Sequence, residues 1–372
     1  MRLCLLGPSY PYRGGIAHYM TLLAKELRAH GHEVVFLGFT RQYPPWLYPG
    51  QTDRDPSRAA LHIDYIPSLD SLNPLSWIRT ARRVRDEKAE LLIIPWWTSF
   101  WTPHFFTVAG LVRRAAAARV VFICHNVVEH ETNWLKQFCT RSVLSLADSF
   151  IVHSSADHHQ LRKLYPEAQI FQVFHPSYQQ LVPARVDRDE ARRRLDVQGK
   201  VLLFFGFVRP YKGLEYAIRS LPLILKKHDV TLMVAGEFWS GKKAIQGLIT
   251  RLGLDQHVRI VDQYIPNEEI GLYFGAADLL LLPYQSATQS GIAQIAYALD
   301  RPVVATRVGG FVDVVKPGKT GYLVEPKSAQ AIADAVIDFY DEAPDRIFIE
   351  EIRSMRASFT WEPLIRIIES LG

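Results

Sequence analysis

The stretch VLLFFGFVRPYKG (201–213) limits the fold more than any other part of the chain. Five apolar residues in a row, Val201 to Phe205, read as a strand buried on both faces, the kind found in parallel sheets covered by helices on either side. Gly206 breaks the run, Arg209 and Lys212 follow, and Leu214 to Leu225 carries apolar residues at helical spacing. Strand, cationic loop and helix start make the outline of a polyanion site, because unpaired amide N–H groups and fixed positive charge converge there. Taken alone, an Arg and a Lys in a surface loop are more often solvated charge.

A chain of 372 residues is too long for one ordinary core and fits two domains. With 48% hydrophobic and 22% charged residues it is globular throughout, and its net charge of +5 suits an anionic small substrate or an anionic membrane surface. That charge is too small to argue for nucleic acid, and no zinc-finger or RNP-type motif supports one. Cys4, Cys124 and Cys139 contain no Cys-x-x-Cys pair and read as reduced packing residues. The apolar start ends at Gly7 and Pro8, too short for a signal-peptide core, and no run approaches the roughly 18 apolar residues of a membrane span. The cytoplasm is the expected location, with peripheral attachment to the inner face of the cytoplasmic membrane as an option.

In chain order, Leu3 to Leu6 reads as a strand, Ile16 to His30 as a helix that Gly31 ends, and His32 to Gly38 as a second strand. Strand, Gly-rich turn, helix, strand opens a doubly wound α/β sheet, and Gly14 and Gly15 let the backbone approach a ligand or simply make a turn. Neither half supplies G-x-G-x-x-G with an acidic residue about 20 positions on, which argues against a dinucleotide enzyme. Residues 41–76 show little periodicity and read as a long loop. Residues 76–90 read as a helix whose Arg79, Arg82, Arg83 and Arg85 form either a solvated face or a contact with anionic lipid. After a strand at Leu91 to Ile94, Trp96, Trp97, Phe100 and Trp101 make either a sugar or lipid platform or part of the core. Helix 104–118 and strand 119–123 lead to His125 and Asn126, at the strand end where α/β proteins bind ligands. His153, His158 and His159 are clustered, but 158 and 159 are neighbours on one helix and cannot face one ion, so no metal site is expected. Further strands are expected at 148–152, 170–174, 230–235, 258–261 and 279–283, with Asn267 capping the helix before the last of them. Gly236 permits close approach, and Glu237 beside it reads equally well as solvated.

The segment 201–213 resembles the G-x-x-x-x-x-K-G signature of retaining glycosyltransferases of the family-four (group 1) type, which have the GT-B fold. The Gly14–Gly15 loop, the His125–Asn126 element, Gly236 and the frame ALDRPVVATRVGG (298–310) resemble that family in the same order. The resemblance implies two Rossmann-like domains facing a cleft, at 1–178 (acceptor side) and 179–356 (nucleotide-sugar donor), with a last helix in 357–372 packing back on the first. It implies that Arg209 and Lys212 bind the donor diphosphate, that Gly15 faces donor phosphate or acceptor, that His125 contacts the donor sugar and that Gly236 lies near the base. Transfer to a hydroxyl acceptor, lipid-linked if the basic helix meets membrane, would then need no metal or other cofactor, and cell-surface polysaccharide or glycolipid synthesis is the implied setting.

One part of the family pattern is missing. Its two glutamates fall, counting back from Pro302, on Ala287 and Ile295, and no Asp or Glu lies between 285 and 299. Thr288, Gln289, Ser290 and Gly291 remain at a helix start, a set of hydroxyls, amides and N–H groups suited to phosphate. Gln294 sits about 100° round the helix from Ile295. A non-catalytic nucleotide-sugar-binding subunit or scaffold of an assembly complex is the competing reading.

Overall fold

The computed structural model describes residues 1–58, 61–127, 133–181, 185–288, 291–342 and 345–372. The chain divides into two units. One takes in Met1–Pro56, the run from Leu61 to Phe174 and Trp361–Gly372; the other takes in Ser57, Arg58 and His175–Thr360.

The first unit is built on a seven-stranded parallel sheet of β1 (Arg2–Leu6), β2 (Glu33–Arg41), β3 (Ile66–Asp70), β4 (Leu91–Trp96), β5 (Arg119–Cys124), β6 (Ser149–Val152) and β7 (Gln169–Gln172). Its spatial order is β3-β2-β1-β4-β5-β6-β7. β4 and β6 have buried residues throughout, and β1 and β5 are buried after Arg2 and Arg119, so their sequences are near-continuous apolar runs rather than alternations. The long loop expected over 41–76 in fact holds β3, an edge strand whose pairing with β2 shifts register twice and in which only Leu69 is buried, so its sequence carries no apolar pattern. The helices Trp134–Leu144, Lys242–Arg251 and Asp345–Arg356 and the short Phe311–Val314 are additions to the sequence reading; the first is capped by Asn133, whose side chain accepts from the amide of Lys136.

The second unit carries a six-stranded parallel sheet of β8 (Lys200–Phe205), β9 (Val230–Ala235), β10 (Val258–Val261), β11 (Leu279–Leu282), β12 (Val303–Thr306) and β13 (Gly321–Val324), ordered β10-β9-β8-β11-β12-β13. Each sheet reverses strand order once, at β1/β4 and at β8/β11, and the carboxyl end of such a point is where open α/β sheets hold ligands.

Three expectations need correcting. Residues 175–178 belong to the second unit: Ser177 donates its amide to the Phe359 carbonyl, and the Tyr178 ring fills the space beside Gly291, where a Cβ would lie 2.5 Å away. The first unit is rejoined at Trp361 rather than 357; the helix Glu362–Glu369 puts Glu362 and Glu369 against His30 and His32 at 2.9 and 3.0 Å, and Arg119 donates to the Leu371 carbonyl. Asn267 is the first residue of its helix and not the cap; its amide donates to Ser57 Oγ at 2.8 Å, so a side chain distant in sequence takes the capping role. Cys4 and Cys124 are buried, free thiols in β1 and β5, and burial pushes the Cys4 thiol up to about 12.

Candidate active site

In the second unit, the loop after β8 has the strand, turn and helix start that its sequence suggests. Gly206 turns the chain at φ +92°, residues 210–212 make one 3-10 turn, and Gly213 at φ +68° starts the helix Leu214–Ile224. That turn carries Lys212 inward, leaving it only 7% exposed. Its Nζ lies 3.3 Å from the point a Cβ on Gly206 would occupy and 5.5 Å from the centre of the Tyr284 ring. Among the described residues Lys212 has no carboxylate partner. Burial, reinforced by the nearby Arg209 guanidinium, pushes its ammonium down to about 7. Two cations held close together, with no carboxylate partner for either among the described residues, are poised for a polyanion.

The loop after β11 is fixed on both sides of the switch point. Gln285 donates its amide to the Tyr211 carbonyl at 2.7 Å, and Gly213 fits under the Pro283 carbonyl, which a Cβ would meet at 2.0 Å. On its other side Thr306 Oγ1 donates to the Tyr284 carbonyl at 2.6 Å and the Gly310 amide to the Thr288 carbonyl at 2.9 Å. Lys212 and Thr288 are thereby brought into one loop cluster, next to the helix Gly291–Ala298, whose Ile292 approaches the same point beside Gly206. Gln289 and Ser290 lie outside the described residues.

The structure alters several individual assignments. Gly236 carries φ +152°, and a Cβ there would meet the Gly206 carbonyl oxygen at 2.1 Å, so the close approach it allows is to the chain's own backbone. Ile295, where a glutamate was sought, is buried, as is Gln294, whose Oε1 has no hydrogen-bond partner among the described residues. Glu237 is 4% exposed and not solvated. Sequence reasoning also missed an aromatic cluster after β8, β9 and β10, where the rings of Phe207 and Trp239 are 4.4 Å apart, Tyr264 is 5.8 Å from Phe207, and Arg209 lies 5.4 Å over Trp239. Each ring closely follows a strand end, and that position was the available signal. Half-buried rings there offer a stacking surface for a planar base.

In the first unit, His125 follows β5 and is buried, its ring edge-on to Tyr19 at 4.6 Å; its amide donates to the Trp96 carbonyl. Asn126 Nδ2 donates to the Trp97 carbonyl at 3.1 Å, and the Val127 amide donates to Asp157. Gly14, at φ +102° with open space beside its Cα, precedes the helix Gly15–Ala29, and Arg13 ties that loop to the backbone of Asp53 and Arg54. His18 Nε2 and Asp55 Oδ2 sit 2.8 Å apart and buried, a pair that sequence separation concealed. Of the proposed aromatic platform, Trp96 and Trp101 are core residues: both are buried in the hydrophobic cluster of the first unit, where Trp101 packs against the rings of Phe39 and Phe105. His153 is committed to Tyr19 Oη and the Val173 carbonyl.

Residues 14–177 match the model of the "glycosyl transferase 4-like domain" and residues 199–342 that of "glycosyl transferases group 1". The chain is 28% identical over 286 residues to a D-inositol 3-phosphate glycosyltransferase of Corynebacterium urealyticum, covering 68% of this chain and 66% of the relative. A protein of the same name from Acidothermus cellulolyticus is 27% identical over 354 residues, 87% of this chain and 77% of the relative. With a second such relative, from Corynebacterium aurimucosum, the match spans 59% of the relative's own length. Among solved structures, Anabaena HepE in complex with UDP-glucose superposes with a TM-score of 0.77 at 18% identity, over 99% of this chain and 98% of that one. Sucrose-phosphate synthase from Thermosynechococcus elongatus gives 0.75 at 21% identity, over 100% and 98%.

Proposed function

The chain belongs to the group 1 glycosyltransferases and has their GT-B fold, and from that premise we propose that it moves a sugar from a nucleoside-diphosphate sugar to a hydroxyl acceptor with retention of configuration. The observation that carries this reading is Lys212, a buried cation beside Arg209 with no carboxylate partner among the described residues, at the carboxyl end of the central strand of a parallel sheet. The relatives named for glycosyl transfer and the neighbour holding UDP-glucose support a nucleotide-sugar donor. A lipid-linked glycan is the proposed acceptor, in cell-surface polysaccharide or glycolipid synthesis at the cytoplasmic face of the membrane.

In this reading Arg209 and Lys212 neutralise the diphosphate as the bond from the sugar's anomeric carbon to phosphate oxygen breaks. Thr288 and the start of the helix Gly291–Ala298 add hydroxyl and amide donors, so the charge on the leaving group is met without a metal. The acceptor oxygen attacks from the face the phosphate leaves, and its proton passes to the departing phosphate oxygen. His125 contacts the transferred sugar, Asn126 holds the loop on which it sits, and the amide of Gly15 approaches donor phosphate or acceptor. The rings of Phe207, Trp239 and Tyr264 suit the base.

Thermal unfolding with UDP, GDP, ADP and dTDP and their sugar conjugates tests the donor site. At 100 times its dissociation constant the right nucleotide adds about 2.7 kcal/mol and raises the midpoint by several degrees, and Arg209→Ala reduces that rise. No rise with any nucleotide sinks the reading. Ala287 and the buried Ile295 favour a second one, a non-catalytic nucleotide-sugar-binding subunit. Stabilisation by a donor that is never hydrolysed, with or without acceptor, would select it.

A further inference from the structure

Three helices of the first unit, Pro74–Asp86, Thr102–Arg114 and Trp134–Leu144, follow β3, β4 and β5 and pack side by side in that order. Parallel strands joined by right-handed crossovers make such helices run alike, so all three begin at the carboxyl edge of the sheet. Their charge is one-sided. Together they hold eight Arg and Lys residues against the single carboxylate of Asp86, a net of +7, whereas the whole chain carries +5. Among the described residues Arg79, Arg82, Arg114 and Arg141 have no ion-pair partner; Arg83 is paired with Glu87 and Arg113 lies near Asp148.

The N-terminal turns of the same helices expose large apolar side chains: Leu75, Phe106, Leu135, Phe138 and, most strongly, Trp134 (79% exposed). Single exposed apolar residues are ordinary on any protein surface, but a cluster of aromatics rimmed by cations is not. Spacing links the two features. Leu75 precedes Arg82, Phe106 precedes Arg113 and Trp134 precedes Arg141, each by seven residues, two helical turns or about 10 Å along one stripe. An amphipathic surface with its apolar end sunk about 5–10 Å past the headgroups would hold those guanidinium groups at the level of the lipid phosphates.

We propose that this face docks on an anionic phospholipid bilayer, with the helix Trp134–Leu144 inserting Trp134, Leu135 and Phe138 and the arginines of all three helices meeting headgroup phosphates. Docking in this pose turns the carboxyl edge of the first sheet, the side on which His125 and Gly15 lie, toward the bilayer. The tryptophans first considered for a membrane contact, Trp96 and Trp101, take no part because they are core.

The full chain is sedimented with vesicles of equal parts phosphatidylcholine and phosphatidylglycerol, and with phosphatidylcholine alone, across a salt series and without nucleotide. We expect at least about tenfold stronger binding to the anionic vesicles, falling as salt rises. Trp134→Ser with Phe138→Ser weakens it about tenfold, and changing Arg79, Arg82, Arg114 and Arg141 to Gln weakens it about fivefold per charge and flattens the salt dependence. Equal binding to both vesicles, or unchanged binding by the arginine variant, overturns the proposal even if the aromatic variant fails to fold. So does light scattering that finds a dimer which Trp134→Ser with Phe138→Ser dissolves while vesicle binding stays absent, since the patch then joins two copies. No step uses a donor, so failure of the transferase reading would leave this result standing.

Discussion

Lys212→Ala is expected to lower donor turnover about 10²- to 10³-fold, the usual loss when one preorganised charge at a developing anion is removed. The same residue gives a pH signature. In the ligand-free protein its ammonium is pushed down to about 7 by burial and by Arg209, against an ordinary value near 10.5. Between those values the unfolded chain holds a proton that the folded, empty protein has lost, so Lys212 makes the empty protein more stable as pH rises through that window. A bound diphosphate reverses the local field, raises the ammonium's affinity for its proton and makes binding take one up. Nucleotide affinity should therefore fall as pH rises above about 7, by up to about tenfold per unit until the complex itself deprotonates. Calorimetry at pH 8 in buffers of different ionisation enthalpy should show proton uptake approaching one per site, absent in Lys212→Ala. Full turnover by that variant, or binding with no proton uptake above neutral pH, would remove Lys212 from the diphosphate site.

The loop that forms this candidate site was the most legible part of the sequence because its determinants are local. Val201 to Phe205, Gly206, Arg209, Lys212 and Gly213 occupy one short segment, and each residue's part follows from strand burial, turn geometry or charge. What sequence could not show was packing between distant segments. Glu237 is buried and the Gly236 position is filled by the Gly206 carbonyl, facts that depend on how the loops after β8 and β9 meet. The pairing of His18 with Asp55 and of the Asn267 amide with Ser57 ties two helices to residues far off in the chain, Asp55 and Ser57, that lie in the stretch without periodicity. Trp96 and Trp101 illustrate a different limit. An aromatic at a strand end serves equally as platform or core, and only its packing decides it, for Trp101 against Phe39 and Phe105. β3 escaped notice for a related reason, since an edge strand with one buried residue leaves no pattern to read.

The second large effect is expected from Gly213→Ala, and the molecule supplies its own control. Gly213 and Gly253 have nearly the same backbone twist, φ +68° and +67°, so an alanine at either meets the same left-handed strain of about 1–2 kcal/mol. Around Gly253 a Cβ has no atom within 4 Å, whereas at Gly213 it would stand 2.0 Å from the Pro283 carbonyl oxygen, a backbone atom held between β11 and the loop that Thr306 and Gly310 secure. Strain alone should lower the unfolding midpoint of Gly253→Ala by a few degrees, at about 2–4 °C per kcal/mol for a unit of this size, and leave nucleotide stabilisation intact. Gly213→Ala must in addition separate the Lys212 turn from the 283–288 loop. It should lose a further several degrees together with most of the nucleotide response, because the displaced turn carries the buried cation out of register with Thr288. Equal losses in the two variants would mean that the contact between these loops gives, and that Lys212 is positioned by the turn alone. A larger loss confined to Gly213→Ala, with Lys212 still in the sequence, would show that the anion site depends on the clamping of two loops across the β8/β11 switch point as well as on its charge.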